Sequence, residues 1–189
     1  MSVEEGLVAR LGLACMVAAI LSGILQGVWE LTHPILATVA TFAAASSAQR
    51  WAYGILAAIK SVGFLAGLFG LLIVATRRGW LLKIFMGLAV MGGVFFAAVW
   101  LVMAATGQFT IVYVLGGMWY QMIAPVVLGI AALRWRYIAW WKGVWAIIVG
   151  ILNSQIFMLL GSGMALLVQG VIWLILGYIV YTSRRRAIE

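Results

Sequence analysis

Two ionisable residues of this sequence lie in or beside long apolar runs, where a charge is costly. Lys60 interrupts a run that begins at Trp51, and Glu30 directly follows the uncharged stretch from Leu11 to Trp29. A cation at the centre of a bilayer costs at least about 2.5–3.5 kcal/mol on insertion scales, so Lys60 needs a compensating group. Glu30 is the one carboxylate near these runs, and a lysine stem can extend several ångströms toward it. We therefore expect Glu30 and Lys60 to pair.

Three interpretations of this pair stay open. A salt bridge between Glu30 and Lys60 would hold two helices together. Alternatively, the pair would bind a ligand or a proton, or the ammonium of Lys60 would extend to water by itself. Each interpretation offsets the free-energy cost of burying the charge of Lys60 in a different way, and the sequence is compatible with all three.

A second pattern joins Glu30 to His33, three residues further on. This spacing puts two side chains on one face of a helix. A Glu-x-x-His pair supplies two metal ligands in di-iron carboxylate bundles, but those sites need further carboxylates. The apolar part of this chain has none, so we expect no metal and no cofactor. His33 then has two interpretations: an acid/base residue working with Glu30 at the membrane surface, or a histidine that ends a helix beside Pro34.

The counts of reactive residues exclude several classes of enzyme. The chain has no Asp, one His and one Cys, which is Cys15. It therefore has no Ser-His-Asp triad, no pair of catalytic aspartates, no bis-histidine haem site and no intrachain disulfide. It also lacks a glycine-rich phosphate loop that ends in Lys-Ser or Lys-Thr. No catalytic set is expected, and an enzyme is the less favoured class.

Uncharged polar residues recur beside small residues along the apolar runs. Small residues let membrane helices approach closely, so these stripes are expected to face the interior of a bundle. The candidate ligand-binding or coupling residues that accompany Glu30 and Lys60 are Gln26, Gln121, Asn153 and Gln169. Counting along the helices puts this set in the outer half and centre of the membrane, which predicts an outward-facing polar cavity. The alternative is that each amide only forms a hydrogen bond between helices.

The composition identifies the elements that must position these residues. Hydrophobic residues make up 67% of the 189 positions and charged residues 8%, which indicates an integral membrane protein. We predict an all-α fold, a single transmembrane domain over residues 1–189 in the form of a six-helix bundle. The predicted helices run roughly over 8–31, 52–75, 81–105, 111–132, 140–160 and 164–182.

The basic residues predict the orientation of this bundle. With the N-terminus inside, ten of the twelve Lys and Arg residues fall on the cytoplasmic side, Arg50 falls outside and Lys60 lies within a span. Such asymmetry in short loops sets the topology of membrane proteins, so both termini are expected in the cytoplasm. The +8 net charge is then a topology signal that also favours anionic membrane lipids as partners, and not nucleic acid. The short loops suggest a plasma membrane, specifically the inner membrane of a bacterium.

The connection over residues 32–50 is the longest of the predicted loops. It contains Pro34 and an apolar stretch that is too short to span. Pro34 is compatible with the start of a helix, because proline lacks a donor that is unpaired there in any case. We consider an interfacial helix, a re-entrant turn or a lid over the bundle for this loop.

Three hypotheses for the function follow. The first is a non-enzymatic membrane protein whose polar cavity binds or transports a small amphiphilic or anionic molecule, with Lys60 recognising the charge and Glu30 neutralising Lys60 when the cavity is empty. The second is an accessory or assembly subunit with a membrane protein partner, or a homo-oligomer. The third is a membrane enzyme that uses Glu30 and His33.

Overall fold

The computed structural model describes residues 3–75, 80–109, 123, 125–131, 133–134 and 140–183, and for 3–5, 74–75, 80–83, 85 and 153–160 it describes the backbone alone. The described residues are helical apart from short connections, and they contain no strand. The prediction of an all-α fold is confirmed.

The described chain contains six named α-helices and one π-helical turn, in addition to the helical residues 125–131. They are α1 Val3–Ala19, the π turn Ile20–Leu25, α2 Gln26–Thr32, α3 Val39–Ala44, α4 Ser47–Ala75, α5 Trp80–Thr106 and α6 Trp140–Thr182. The first three follow one another without a break and form one continuous rod over Val3–Thr32, which we call the first rod. Helix α6 consists of two helices separated at Gly161, whose φ of 69° is the left-handed conformation that glycine adopts without strain.

Four of the described helices are long and apolar enough to cross a membrane. They are Gly6–Thr32, Ser47–Ile73, Met86–Thr106 and Gly161–Thr182, and a shorter apolar helix covers Trp140–Leu152. These five correspond to the first, second, third, sixth and fifth predicted spans. The remaining predicted helix, 111–132, lies largely outside the described residues, although 125–131 are helical.

The connection after the first rod is shorter and more structured than predicted. Helix α2 ends at Thr32 and α4 begins at Ser47, so the connection covers 33–46, which we call the cap segment. It contains one short helix, α3, which Thr38 caps by accepting a hydrogen bond from the backbone N–H of Thr41. The expectation that Pro34 starts a helix is wrong, because the helix begins five residues later at Val39, where Thr38 and Thr41 form a capping box.

Stripes of small residues hold the long helices together, as the sequence predicts. A Cβ built on Gly63 of α4 would lie 1.9 Å from the Cβ of Ala18 in α1, and one built on Gly23 would lie 2.3 Å from the Cα of Gly170 in α6. Such close approach maximises dispersion contacts between helices that have no hydrophobic driving force in lipid. The first rod therefore packs between α4 and the second half of α6, Gly161–Thr182, and runs antiparallel to both.

The half of this bundle nearer the chain termini has an apolar core. The rings of Phe64 and Trp173 stack with their centroids 3.8 Å apart, and both side chains are fully buried. The buried side chains beyond this stack, toward the termini, include Leu68, Leu71 and Leu176. The charged and amide groups of the described core lie on the other side of the stack, toward the cap segment.

Candidate functional site

The carboxylate of Glu30 lies directly beneath the cap segment, and its side chain is 1% exposed. Its Oε2 accepts hydrogen bonds from the backbone N–H of Ile35, at 3.1 Å, and from the hydroxyl of Tyr53. Its Oε1 accepts from the backbone N–H of Leu36, at 2.7 Å, and from the hydroxyl of Ser162, at 2.8 Å. Hydrogen bonds to an ionised acceptor are about twice as strong as neutral ones. Glu30 therefore joins the cap segment, α4 and α6.

Two local breaks in the helices bring these donors to Glu30. The first rod ends at Thr32, and the following residue, His33, adopts an extended φ of −137°, so the chain turns back over its own helix. This turn places two backbone N–H groups of the cap segment over the carboxylate. Gly161 interrupts α6 immediately before Ser162, at the level where that hydroxyl meets Glu30.

Lys60 lies deeper in the bundle and is 4% exposed. Its Nζ donates a hydrogen bond to Oε1 of Gln169, at 3.2 Å, and lies 5.7 Å from the centre of the Phe96 ring. The stacked rings of Phe64 and Trp173 lie one helical turn further toward the termini, since they follow Lys60 and Gln169 by four residues each. The ammonium is thus enclosed by helices α4, α5 and α6.

The expected pair of Glu30 and Lys60 does not form, so this prediction is wrong. Among the described residues, no ion pair joins them, and each has other partners. Tyr53, which contacts Glu30, precedes Lys60 by seven residues of the same helix, a rise of about 10 Å. A lysine stem does not cover that distance while Nζ stays on Gln169, and the four donors already satisfy the carboxylate.

Two further polar side chains of the first rod lie between the level of Glu30 and that of Lys60. Ser22 and Gln26 precede Glu30 by eight and four residues and are 0% and 3% exposed. Because Ala18 faces Gly63 in the antiparallel α4, Ser22 lies at the level of Lys60. Ser22 belongs to the π turn, and turns of this kind occur frequently at functional sites.

These side chains leave hydrogen-bonding capacity unused. The hydroxyl oxygen of Ser22 and Oε1 of Gln26 are buried and have no hydrogen-bond partner among the described residues. A buried polar group without a partner costs about 1–3 kcal/mol, so most such groups in proteins are paired or bind a ligand or water. We call Ser22, Gln26, Lys60 and Gln169 the lysine cluster. It combines one cationic donor with a hydroxyl and two amides.

The other predicted site residues have different outcomes. His33 is exposed, and its Nδ1 lies 2.9 Å from the hydroxyl of Thr32. The expectation that it shares a helical face with Glu30 is wrong, because the helix ends at Thr32 and only Glu30 points into the bundle. Gln121 and the side chain of Asn153 lie outside the described residues.

Three contributors to the site are absent from the sequence prediction. They are Tyr53, Ser162 and Ser22. Helical spacing would have found them, since each lies four or seven residues before a predicted site residue, namely Lys60, Gln169 and Gln26. The two backbone donors from the cap segment have no such signal, because they depend on a turn.

Comparisons with family models, with curated proteins and with solved structures found no match. Within the described residues, no group of three or more His, Cys, Asp or Glu side chains is arranged to hold a metal ion.

Proposed function

We propose that this membrane protein binds a small anionic or amphiphilic molecule at Lys60, inside its helical bundle. The observation that carries this proposal is a deeply buried ammonium whose expected carboxylate partner is engaged elsewhere. Among the described residues, one amide oxygen and one aromatic ring stabilise this charge. The charge of such a site favours an anion as its ligand, and we extend the proposal to transport of that anion.

The energetics of the lysine cluster support an anionic ligand. A hydrogen bond from a charged group contributes about 1.5–3 kcal/mol. A cation–π contact adds about 0.5–2 kcal/mol. Together these only offset the cost of at least about 2.5–3.5 kcal/mol for a cation inside a membrane. A bound carboxylate or halide would add a Coulombic attraction in a medium of low dielectric constant and would accept a hydrogen bond from the hydroxyl of Ser22.

The surroundings of the cluster support access from the end covered by the cap segment. Toward the termini, the Phe64–Trp173 stack and the apolar core block the bundle. Toward the other end, the cap segment covers the bundle and Glu30 holds it through two backbone hydrogen bonds. In this proposal Glu30 holds the cap closed, which replaces its expected role of neutralising Lys60.

We further propose that the chain forms six spanning helices with both termini in the cytoplasm of a bacterium and the cap segment outside its plasma membrane. Arg10 and Lys142 support this topology, because Gly12 packs against Tyr181, and Nζ of Lys142 donates to the hydroxyl of Ser183 at 2.9 Å. Both basic side chains thus lie at the end of the bundle where the last described residue lies. A basic cluster at one end is the pattern expected on the cytoplasmic side.

The proposal is tested with the protein in lipid nanodiscs and a panel of chloride, acetate and benzoate. A ligand that binds the folded state stabilises it by about 2.7 kcal/mol at one hundred times its Kd, which raises the melting temperature. We expect at least one anion to raise the melting temperature of the wild type and not that of Lys60→Met. Lys142→Met is the matched control, since it removes a lysine outside the cluster and should respond as the wild type does. An equal response of the wild type and Lys60→Met to every anion would contradict the proposal.

A further inference from the structure

A groove on the outer surface of the bundle lies between α1 and α4 and has a volume of about 640 Å³. This volume is within the range of about 300–1,000 Å³ that ligand pockets have. Its lining includes the exposed side chains of Leu13, Val17, Ile55 and Val62. Among the described residues that line it, Arg10 is the one that carries a charge.

The small residues that pack α1 against α4 also create the groove. Gly63 and Ala18 bring the two helix backbones together at its floor, while larger side chains form its walls. From Arg10 to Ala18 the groove follows α1 for eight residues, about 12 Å along the axis. That length is close to one half of the hydrocarbon core, which is about 30 Å thick. The groove then continues along α4 to Ile55.

Arg10 lies at the end of the groove that coincides with the end of the membrane span. The candidate spanning helix begins at Gly6, so Arg10 lies about one helical turn inside its start, and the side chain of Arg10 is exposed. Guanidinium groups bind phosphate oxygens through two parallel hydrogen bonds. An apolar groove that starts at such a group matches a molecule with an anionic phosphate head and a hydrocarbon tail.

We propose that this groove is a specific site for an anionic phospholipid, with the phosphate of the head group on Arg10 and one acyl chain between α1 and α4. The site is separate from the lysine cluster, because the walls of the groove are exposed side chains on the outer surface of the bundle, whereas the cluster is buried inside it. It gives the protein a preference for anionic over zwitterionic lipid that the apolar walls alone would not give.

Native mass spectrometry of the purified protein tests this site with an equimolar mixture of phosphatidylglycerol and phosphatidylcholine. We expect wild type to retain phosphatidylglycerol preferentially, and Arg10→Gln to weaken its retention about fivefold, as expected for one basic residue near an anionic head group. Arg134→Gln, which removes another exposed arginine, should keep the preference of the wild type. Val62→Trp fills the groove and should reduce the retention of both lipids.

Three results would overturn the proposal. They are equal retention of the two lipids by wild type, an unchanged preference in Arg10→Gln, and full retention of lipid by a folded Val62→Trp protein. Either of the first two would show that Arg10 does not select the head group, and the third would show that the groove is not the lipid site. Arg10 and Val62 are both exposed, so neither substitution disturbs the packed core.

Discussion

Substitution of Lys60 by methionine tests whether its buried ammonium belongs to a salt bridge or, as among the described residues, forms no ion pair. Methionine keeps the apolar stem and removes the charge and its donors. The variant loses the charged hydrogen bond to Gln169, about 1.5–3 kcal/mol. It also loses the contact with the Phe96 ring, about 0.5–2 kcal/mol. It gains at least about 2.5–3.5 kcal/mol, because a cation no longer has to be held inside the membrane.

These opposing contributions nearly cancel. We therefore expect Lys60→Met to lower the free energy of unfolding by no more than about 2.5 kcal/mol relative to wild type. Removal of one partner of a buried ion pair would instead cost about 3–5 kcal/mol. Titration with sodium dodecyl sulphate in mixed micelles measures this free energy, and Lys142→Met controls for the loss of a lysine elsewhere in the chain.

A double-mutant cycle with Glu30→Gln makes the same test independent of these estimates. Glu30 and Lys60 have different partners and lie about two helical turns apart. Substitutions without shared partners add to within about 0.3–0.5 kcal/mol. A loss of about 3–5 kcal/mol in Lys60→Met, together with a coupling energy above about 1 kcal/mol to Glu30, would refute this account of Lys60. It would show that Glu30 and Lys60 form a salt bridge after all.

Three further predictions concern the cap and the helix packing. Glu30→Gln should lower the free energy of unfolding by about 3–6 kcal/mol, because its amide nitrogen would face two of the four donors and each lost bond to the carboxylate is worth about 1.5–3 kcal/mol. The same substitution should speed hydrogen exchange of the cap segment. Tyr53→Phe removes one of the four hydrogen bonds to Glu30. It should lower the free energy of unfolding by about 1.5–3 kcal/mol, measured by titration with sodium dodecyl sulphate. Gly23→Ala should lower the free energy of unfolding by about 1–3 kcal/mol, because the new methyl group would meet the backbone of α6. Gly87→Ala should leave the free energy of unfolding unchanged.

Each of these predictions has a result that would contradict it. Unchanged exchange in the cap segment of Glu30→Gln would show that the carboxylate does not hold the cap. A Tyr53→Phe protein as stable as wild type would mean that the hydroxyl contributes nothing to the burial of the carboxylate. Equal effects of the two glycine substitutions would contradict the close packing of the π turn on α6, since a Cβ at Gly87 meets nothing within 4 Å.

The apolar runs were sufficient to predict the helical fold and the inward orientation of the polar residues. Lys60, Gln26, Gln169 and Glu30 are all buried, as the stripes of small residues predict. Helical periodicity gives the face of a residue, and the rise per residue gives its depth. The same arithmetic does not say which neighbouring helix lies opposite, so the partner of Lys60 could not be obtained from its position alone.

The sequence prediction failed where the backbone leaves regular geometry. The turn after Thr32 brings the backbone donors of Ile35 and Leu36 to Glu30, and no periodicity in the sequence reports such a turn. Those two donors contribute half of the hydrogen bonds that satisfy the carboxylate. The carboxylate is therefore satisfied without a cation and is not available to Lys60, whose buried charge was the reason for pairing the two residues.

The most direct test of the central claim is calorimetric titration of benzoate, acetate and chloride into wild type and Lys60→Met in nanodiscs. The account predicts that at least one of these anions binds to the wild-type chain with one site per chain, and that this binding is lost in Lys60→Met. Binding of every such anion with the same affinity by both proteins, or by neither, would contradict a function of Lys60 as an anion site.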